Sequence, residues 1–509
     1  MNRQSESSAS IKKLLASLAL FLIYSLTVTM FLTGCSDNQT PQSIASNSPA
    51  ALSDKNINLI FVTSPDLAYQ ALGDIQPDTA NLTNQGLNRS LMMATYLKLQ
   101  VLGANNVTSI YALSPITHLQ TSNNYPDITA IGYIQQFALL NQQTLPLDTT
   151  PNGATYTANS YPIKVAYSSK ESLPSGVAEP KYGYSSDTAG LDFKNSGGNN
   201  DALVSDIINK NIPGYYVFSA PWETISAMLA NINTQKGYNL NLPATYMGPN
   251  YVYAITIPSS GSASLITYNS NLNPPATYPV LPSTVASAVC THLLQSEFRA
   301  TRTGGVGGVI VPANSNKSQT IYIVRHAEAH PDATFKFENG NYVAAGQWRA
   351  LNLPSSLRGK MSPQVVYSID PAQWFRMPVS NTGFSYVRPS LTVLPYAIAN
   401  NLPYYLFSSI SLLDSNVAKL ASDFFFTGGK FSDQTVLLGW ESGRIVPLIK
   451  ALLDSYGGSN LPSLPTAWRG DDYNTIWTVK LDVQGNLTVD NDMCEGIDST
   501  KLPDTAPQF

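Results

Sequence analysis

The chain has 509 residues, 43% of them apolar, which is enough core-forming material for roughly two to four domains and excludes wholesale disorder. Charged residues make up only 12%, and polarity is carried instead by Ser, Thr, Asn, Gln and 28 Tyr, a balance that suits a protein outside the cytoplasm. With a net charge of −4 there is no basic excess to displace counterions, so no nucleic-acid partner is expected.

The chain opens with an export pattern. Lys12 and Lys13 precede an almost uncharged apolar run from Leu14 to Leu32, which closes in Leu32-Thr33-Gly34-Cys35. Small residues before a Cys, directly after an apolar segment, resemble the lipobox of bacterial lipoproteins. The resemblance implies that the signal, 1–34, is removed and that Cys35 is lipidated, so that the membrane is met through a lipid anchor. Ser36 after the Cys implies sorting to the outer membrane, facing the periplasm or the cell surface. An uncleaved membrane anchor is the alternative, because ~18 apolar residues nearly span a bilayer. With Cys35 acylated, only Cys290 and Cys494 remain of the 3 cysteines. An even pair in an oxidising compartment predicts a Cys290–Cys494 disulfide, two buried thiols being the other reading. Residues 36–56 hold no aromatic side chain, and 35–56 is expected to be a flexible tether.

Ordered sequence begins with Ile57-Asn58-Leu59-Ile60-Phe61-Val62, a buried-strand pattern that returns as Ile321-Tyr322-Ile323-Val324. The segments downstream of the two strands match as well. The amphipathic stretch 82–99 carries Gly86 and Arg89; the stretch 342–357 carries Gly346 and Arg349 at the same spacing. The strand 107–115 pairs with 363–371, and 125–141 with 388–404. A strand, a Trp-Glu turn and a helix at 214–229 pair with 434–449. Asn-Leu-Pro opens both 241–257 and 460–479. Six matches in one order predict a duplication. The first copy carries about 45 extra residues, within 145–200, a Pro-, Gly-, Ser- and Tyr-rich stretch that reads as a surface excursion.

Strands alternate with helices in each copy. The expected architecture is therefore two tandem three-layer α/β/α domains, each a mostly parallel sheet with helices on both faces and a closing hairpin. The expected boundaries are 57–300 for the first domain, 301–318 for a linker, 319–498 for the second domain and 499–509 for a tail.

In the second copy the strand runs into Arg325-His326-Ala327-Glu328. This resembles the histidine phosphatase (phosphoglycerate-mutase-like) superfamily, whose hallmark is an apolar strand ending in Arg-His-Gly or Arg-His-Ala-Glu. The resemblance implies that His326 accepts a phosphoryl group and is then hydrolysed, with Arg325 and Arg388 holding phosphate oxygens. The residue types suit that work. A His at a strand's C-terminal end projects into the crevice where α/β sheets bind ligands, and neutral imidazole is a nucleophile near pH 7. Arg supplies a permanent, planar positive charge. The family's second His, after a late strand, is missing: Thr435-Val436-Leu437-Leu438 leads into Gly439-Trp440-Glu441-Ser442, and none of the 4 His lies beyond residue 330. Glu441 or Glu328 is then the expected proton donor, and Arg444 a replacement charge. His330 and His118 read as loop residues, the latter on the surface. The first copy has neither Arg nor His after its strand, and Tyr125 stands where Arg388 does.

The expected function is phosphomonoester hydrolysis through His326, on a phosphorylated small molecule or phosphoprotein. The alternative is an inactive pseudophosphatase that binds a ligand or partner. No CxxC, P-loop or dinucleotide pattern occurs, so no metal or cofactor is expected.

Overall fold

Ile57–Thr63 (β1) and Gln319–Arg325 (β8) are apolar enough to be covered on both sides, and each becomes an inner strand of its own sheet. The computed structural model describes residues 49–69, 73–146, 155–168, 173–175, 184–185, 190–290, 296–329, 339–372, 374–376, 383–408, 416–458 and 464–509. Cys35, the signal 1–34, most of the expected tether and His330 lie outside them. Among the described residues no helix is long and apolar enough to cross a membrane.

The first sheet adds Ser109–Ala112 (β2), Ile163–Lys164 (β3), Gly214–Ala220 (β4), Tyr251–Ile257 (β5) and Ser264–Asn269 (β6), in the order β6-β5-β1-β4-β2-β3. The second comprises Arg299–Arg302 (β7), β8, Val365–Ile369 (β9), Tyr404–Phe407 (β10), Thr435–Trp440 (β11), Thr475–Leu481 (β12) and Leu487–Cys494 (β13), in the order β7-β13-β12-β8-β11-β9-β10. Leaving the edge strand β7 aside, the two orders correspond strand for strand. In both, the β1 or β8 strand is parallel to one neighbour and antiparallel to the first strand of the closing hairpin. The chain is thus a mixed α/β protein with two mostly parallel sheets.

The helices follow the same scheme. Asn84–Tyr96 (α1) and Thr129–Leu139 (α2) cover one face of the first sheet; Asn199–Lys210 (α3) and Trp222–Lys236 (α4) cover the other. The alternation of β1 decides this: Ile60 and Val62 join one core, while Ile57, Leu59 and Phe61 join the opposite one. In the second sheet Ala344–Ser356 (α5) and Arg388–Ala399 (α6) take one face, and Val417–Phe426 (α7) and Ser442–Ser455 (α8) the other.

The core under α1 and α2 is continuous with the core under α5 and α6. The two halves are therefore lobes fused along equivalent helix pairs rather than domains held by a linker, and residues 49–509 form one unit. Several expected boundaries move as a result. The tether ends early, because Leu52 is buried and its N–H donates to the Val101 carbonyl. The expected linker 301–318 begins inside β7, which pairs with β13 of the second sheet. The tail is packed: the Trp348 indole donates to the Thr505 carbonyl and the Gln136 amide to that of Pro507. The described part of 145–200 is no surface excursion. Ser160 donates to the Tyr342 carbonyl, Asn341 to that of Tyr161, and the Val165 N–H to Ser385 Oγ, so the insertion crosses onto the second lobe. Sequence composition hid this, because Ser, Tyr and Asn serve a polar seam as well as a solvated loop.

Candidate active site

The site lies at the C-terminal ends of β8, β11 and β9, the crevice side of a parallel sheet. Arg325 is the last residue of β8, paired in register with Trp440 of β11, and the His326 N–H donates to the Trp440 carbonyl. Chain adjacency and strand register together bring Arg325, His326 and Glu441 to one edge.

His326 is 3% exposed. Its Nδ1 lies 2.9 Å from the Ala327 carbonyl oxygen. A carbonyl only accepts, so Nδ1 carries a proton, and in the neutral ring the lone pair is on Nε2. The ring is set edge-on to Tyr386 and Tyr473, each with its centroid 6.1 Å away.

Arg325 is equally buried. Its Nη1 donates to the carbonyls of Arg469, Gly470 and Asp472, and its guanidinium lies 3.9 Å from the centre of the Tyr473 ring. Among the described residues no carboxylate forms an ion pair with it, and its buried Nε has no hydrogen-bond acceptor. The cation is positioned by carbonyls and a π face, with its charge not neutralised by a paired carboxylate.

Arg388 opens α6 and is 2% exposed, its guanidinium 4.7 Å from the centre of the Tyr386 ring. The helix is pinned to the strand end by Thr392, whose hydroxyl accepts from the Ala327 N–H and donates to the Arg388 carbonyl. Arg325 and His326 thus share Tyr473, while His326 and Arg388 share Tyr386. Neither tyrosine was expected from sequence, because aromatic residues in Tyr-rich loops carry no positional signal of their own.

Glu328 is not placed as a proton donor. It is buried, and both its oxygens accept from Nε of Arg349, a fully buried arginine that also bonds Glu495 at 2.5 Å. Glu328 belongs to an internal ion triad that ties α5 to the β8 end and to the segment after β13. Glu441 is the N-cap of α8, its Oε1 accepting from the Gly443 N–H at 2.9 Å and from the Ser442 hydroxyl. Arg444 follows in the first turn of α8, half-buried. At the neighbouring end of β9, Asp370 is fully buried and bonded to the Tyr167 hydroxyl of the insertion at 2.8 Å. Burial pushes its carboxyl up to about 6 against the hydrogen bonds from Ala372 and Tyr167.

Away from the site, Cys290 and Cys494 form a disulfide with a Cα–Cα distance of 5.5 Å, closing the segment after the first lobe onto β13. His118 is not the surface loop residue expected from sequence: it is largely buried and bonded to Asp66 at 2.6 Å.

No protein-family model matches the chain, and no curated protein is detectably similar to it in sequence. Solved structures similar to part of it include phosphatases and hydrolases. A mycobacterial glucosyl-3-phosphoglycerate phosphatase matches 33% of this chain and 94% of its own, at 14% identity and a TM-score of 0.21. A structure assigned as the phosphohistidine phosphatase SixA from Agrobacterium tumefaciens matches 32% and 92%, at 14% identity and 0.20. A mycobacterial hydrolase matches 37% and 92%, at 13% identity and 0.20.

Proposed function

We propose that the second lobe is a phosphomonoesterase of the histidine phosphatase type, and that the chain arose by duplication of one such unit. The observation that carries this reading is the pair Arg325 and His326: a buried guanidinium with no carboxylate ion pair among the described residues, next to an imidazole whose Nδ1 faces a carbonyl oxygen. An unneutralised buried cation is costly, and a phosphate dianion lying across Arg325 and Arg388 relieves that cost.

In this mechanism Nε2 of His326 attacks phosphorus in line with the leaving oxygen. The N–P bond forms as the ester P–O bond breaks, and the Nδ1–H bond to Ala327 stabilises the charge that develops on the ring. Water then attacks phosphorus, releasing inorganic phosphate and returning the electron pair to Nε2. Glu441 is the nearest acidic residue in sequence to the slot of the absent second His, and it protonates the leaving alkoxide. Substrates are phosphorylated small molecules or phosphoproteins, held by residues of 329–341 and 372–387, which lie partly outside the described residues.

A second reading is favoured by Glu441 itself. A carboxylate where the family has a cationic clamp repels a phosphate dianion, and its Oε1 is already committed to capping α8, which describes a pseudophosphatase that binds without turnover. One comparison decides between them. Assay the purified chain on a panel of phosphomonoesters beside His326→Ala and Arg325→Ala. Hydrolysis lost in His326→Ala, and lowered ~10²–10³-fold in Arg325→Ala, supports catalysis. Equal background in all three proteins leaves binding alone. Lipid anchoring at Cys35 in the outer membrane belongs to the same proposal; labelled palmitate incorporated by the wild type and not by Cys35→Ser supports it.

A further inference from the structure

The first lobe has a crevice at the equivalent strand ends, and its chemistry is inverted. Thr63 pairs with Ala220 as Arg325 pairs with Trp440, and the Ser64 N–H donates to the Ala220 carbonyl as the His326 N–H does to that of Trp440. Thr129 of α2 bonds the Pro65 carbonyl, as Thr392 of α6 bonds the Ala327 N–H. Thr63 and Ser64 therefore occupy the places of Arg325 and His326, and no arginine takes the phosphate-binding positions.

Three other side chains converge there. Asp66 lies just beyond β1, His118 comes from the turn after β2, and Asp127 precedes α2. One donor atom from each, an imidazole nitrogen and two carboxylate oxygens, lie within 4.8 Å of one another. His118 is fixed from one side by the Phe193 ring, stacked at 3.6 Å, and its Nε2 meets Asp66 Oδ2 at 2.6 Å. Asp127 Oδ1 accepts from both the N–H and the hydroxyl of Thr129. Its other oxygen, Oδ2, has no hydrogen-bond partner although the residue is fully buried, and the buried hydroxyls of Thr63 and Ser64 lack partners as well. A buried carboxylate oxygen left without a donor is a rare arrangement that a ligand accounts for.

We propose that Asp66, His118 and Asp127 form a site for a divalent transition cation of the Zn²⁺ class. One nitrogen and two oxygen donors, with water as a fourth, suit a tetrahedral ion of that type, whereas Ca²⁺ and Mg²⁺ take six or more oxygens. The cation replaces the proton shared by His118 and Asp66. Nε2 gives its lone pair to the metal, the proton leaves to solvent, and Asp127 Oδ2 gains its missing partner. The two equivalent crevices then bind ions of opposite sign.

Zn²⁺ alone, titrated calorimetrically into the chelator-treated full chain, tests this. The expected result is one equivalent bound with release of a proton, and affinity lowered at least ~10–100-fold in His118→Gln and in Asp127→Asn. No uptake by the wild type, or equal affinity in all three proteins, overturns the proposal. Where far-UV circular dichroism shows that a variant has not folded, the wild type with Co²⁺ decides: visible absorption of a four-coordinate, imidazole-ligated ion supports the site, and its absence overturns it.

Discussion

At Arg349 three charges are buried together. Its guanidinium holds Glu328 and Glu495 and also reaches the Ser499 hydroxyl. In the first lobe Arg89, the residue matched to it by spacing, holds Asp74 at 2.6 Å. Sequence showed that these arginines recur but not what they do, because the partners of Arg349 stand 21 and 146 residues away. The same gap explains the misreading of Glu328: adjacency to Arg325-His326 says nothing about which way a side chain turns. The position of Arg325 and His326 was legible because the motif is continuous and follows directly from the strand. His118 was not, since Asp66 and Asp127 reach it only through the fold. Removing Arg349 leaves two carboxylates buried without a cation. Arg349→Met is expected to lose about 3–5 kcal/mol of stability, measured by urea unfolding. A loss below ~1 kcal/mol contradicts the structural role given to the triad.

The helices and strands were more readable than the side chains between them. Period-two and period-3.6 patterns placed the central strands and the helices after them, and the shared Gly-x-x-Arg spacing marked α1 and α5 as equivalents. The reason for the glycine is steric. A Cβ on Gly86 would lie 2.0 Å from the Asp74 carbonyl oxygen, a backbone atom that cannot swing aside, and one on Gly346 would meet Tyr342 Cβ at 2.8 Å. Gly86→Ala therefore pushes α1 away from the segment that supplies Asp74, and with it the Arg89 ion pair. The expected cost is about 2 kcal/mol or more, seen as a lower urea midpoint with an unchanged m-value. Stability equal to the wild type would show that the helix can shift freely. Sequence could not reveal the role of 145–200, because its contacts are with the other lobe and leave no local periodicity.

On the scale of the whole molecule, the fusion of lobes has a cost in buried acid. Asp370, at the seam with the insertion, is pushed up to about 6 by burial. The raised value favours the protonated form in the folded state. Its stabilisation is complete below the ordinary carboxyl range and is lost as pH rises through about 6. The melting temperature is accordingly expected to fall by a few degrees between weakly acidic and weakly alkaline buffer, and Asp370→Asn is expected to flatten that slope. A slope unchanged in the variant would mean that Asp370 is ionised throughout. The few charges that are buried are grouped: Arg89 and Arg349 in ion pairs in the two lobes, Arg325 and Arg388 at one set of strand ends, and carboxylates around His118 at the other.

The central claim is that His326 takes a phosphoryl group. Rapid quenching of the wild-type chain with a ³²P-labelled phosphomonoester, followed by peptide mapping, tests it most directly. A phosphohistidine intermediate predicts base-stable, acid-labile label on the peptide that carries His326, and none in His326→Ala. Turnover of the same substrate with no label on His326, or label retained in His326→Ala, would contradict it.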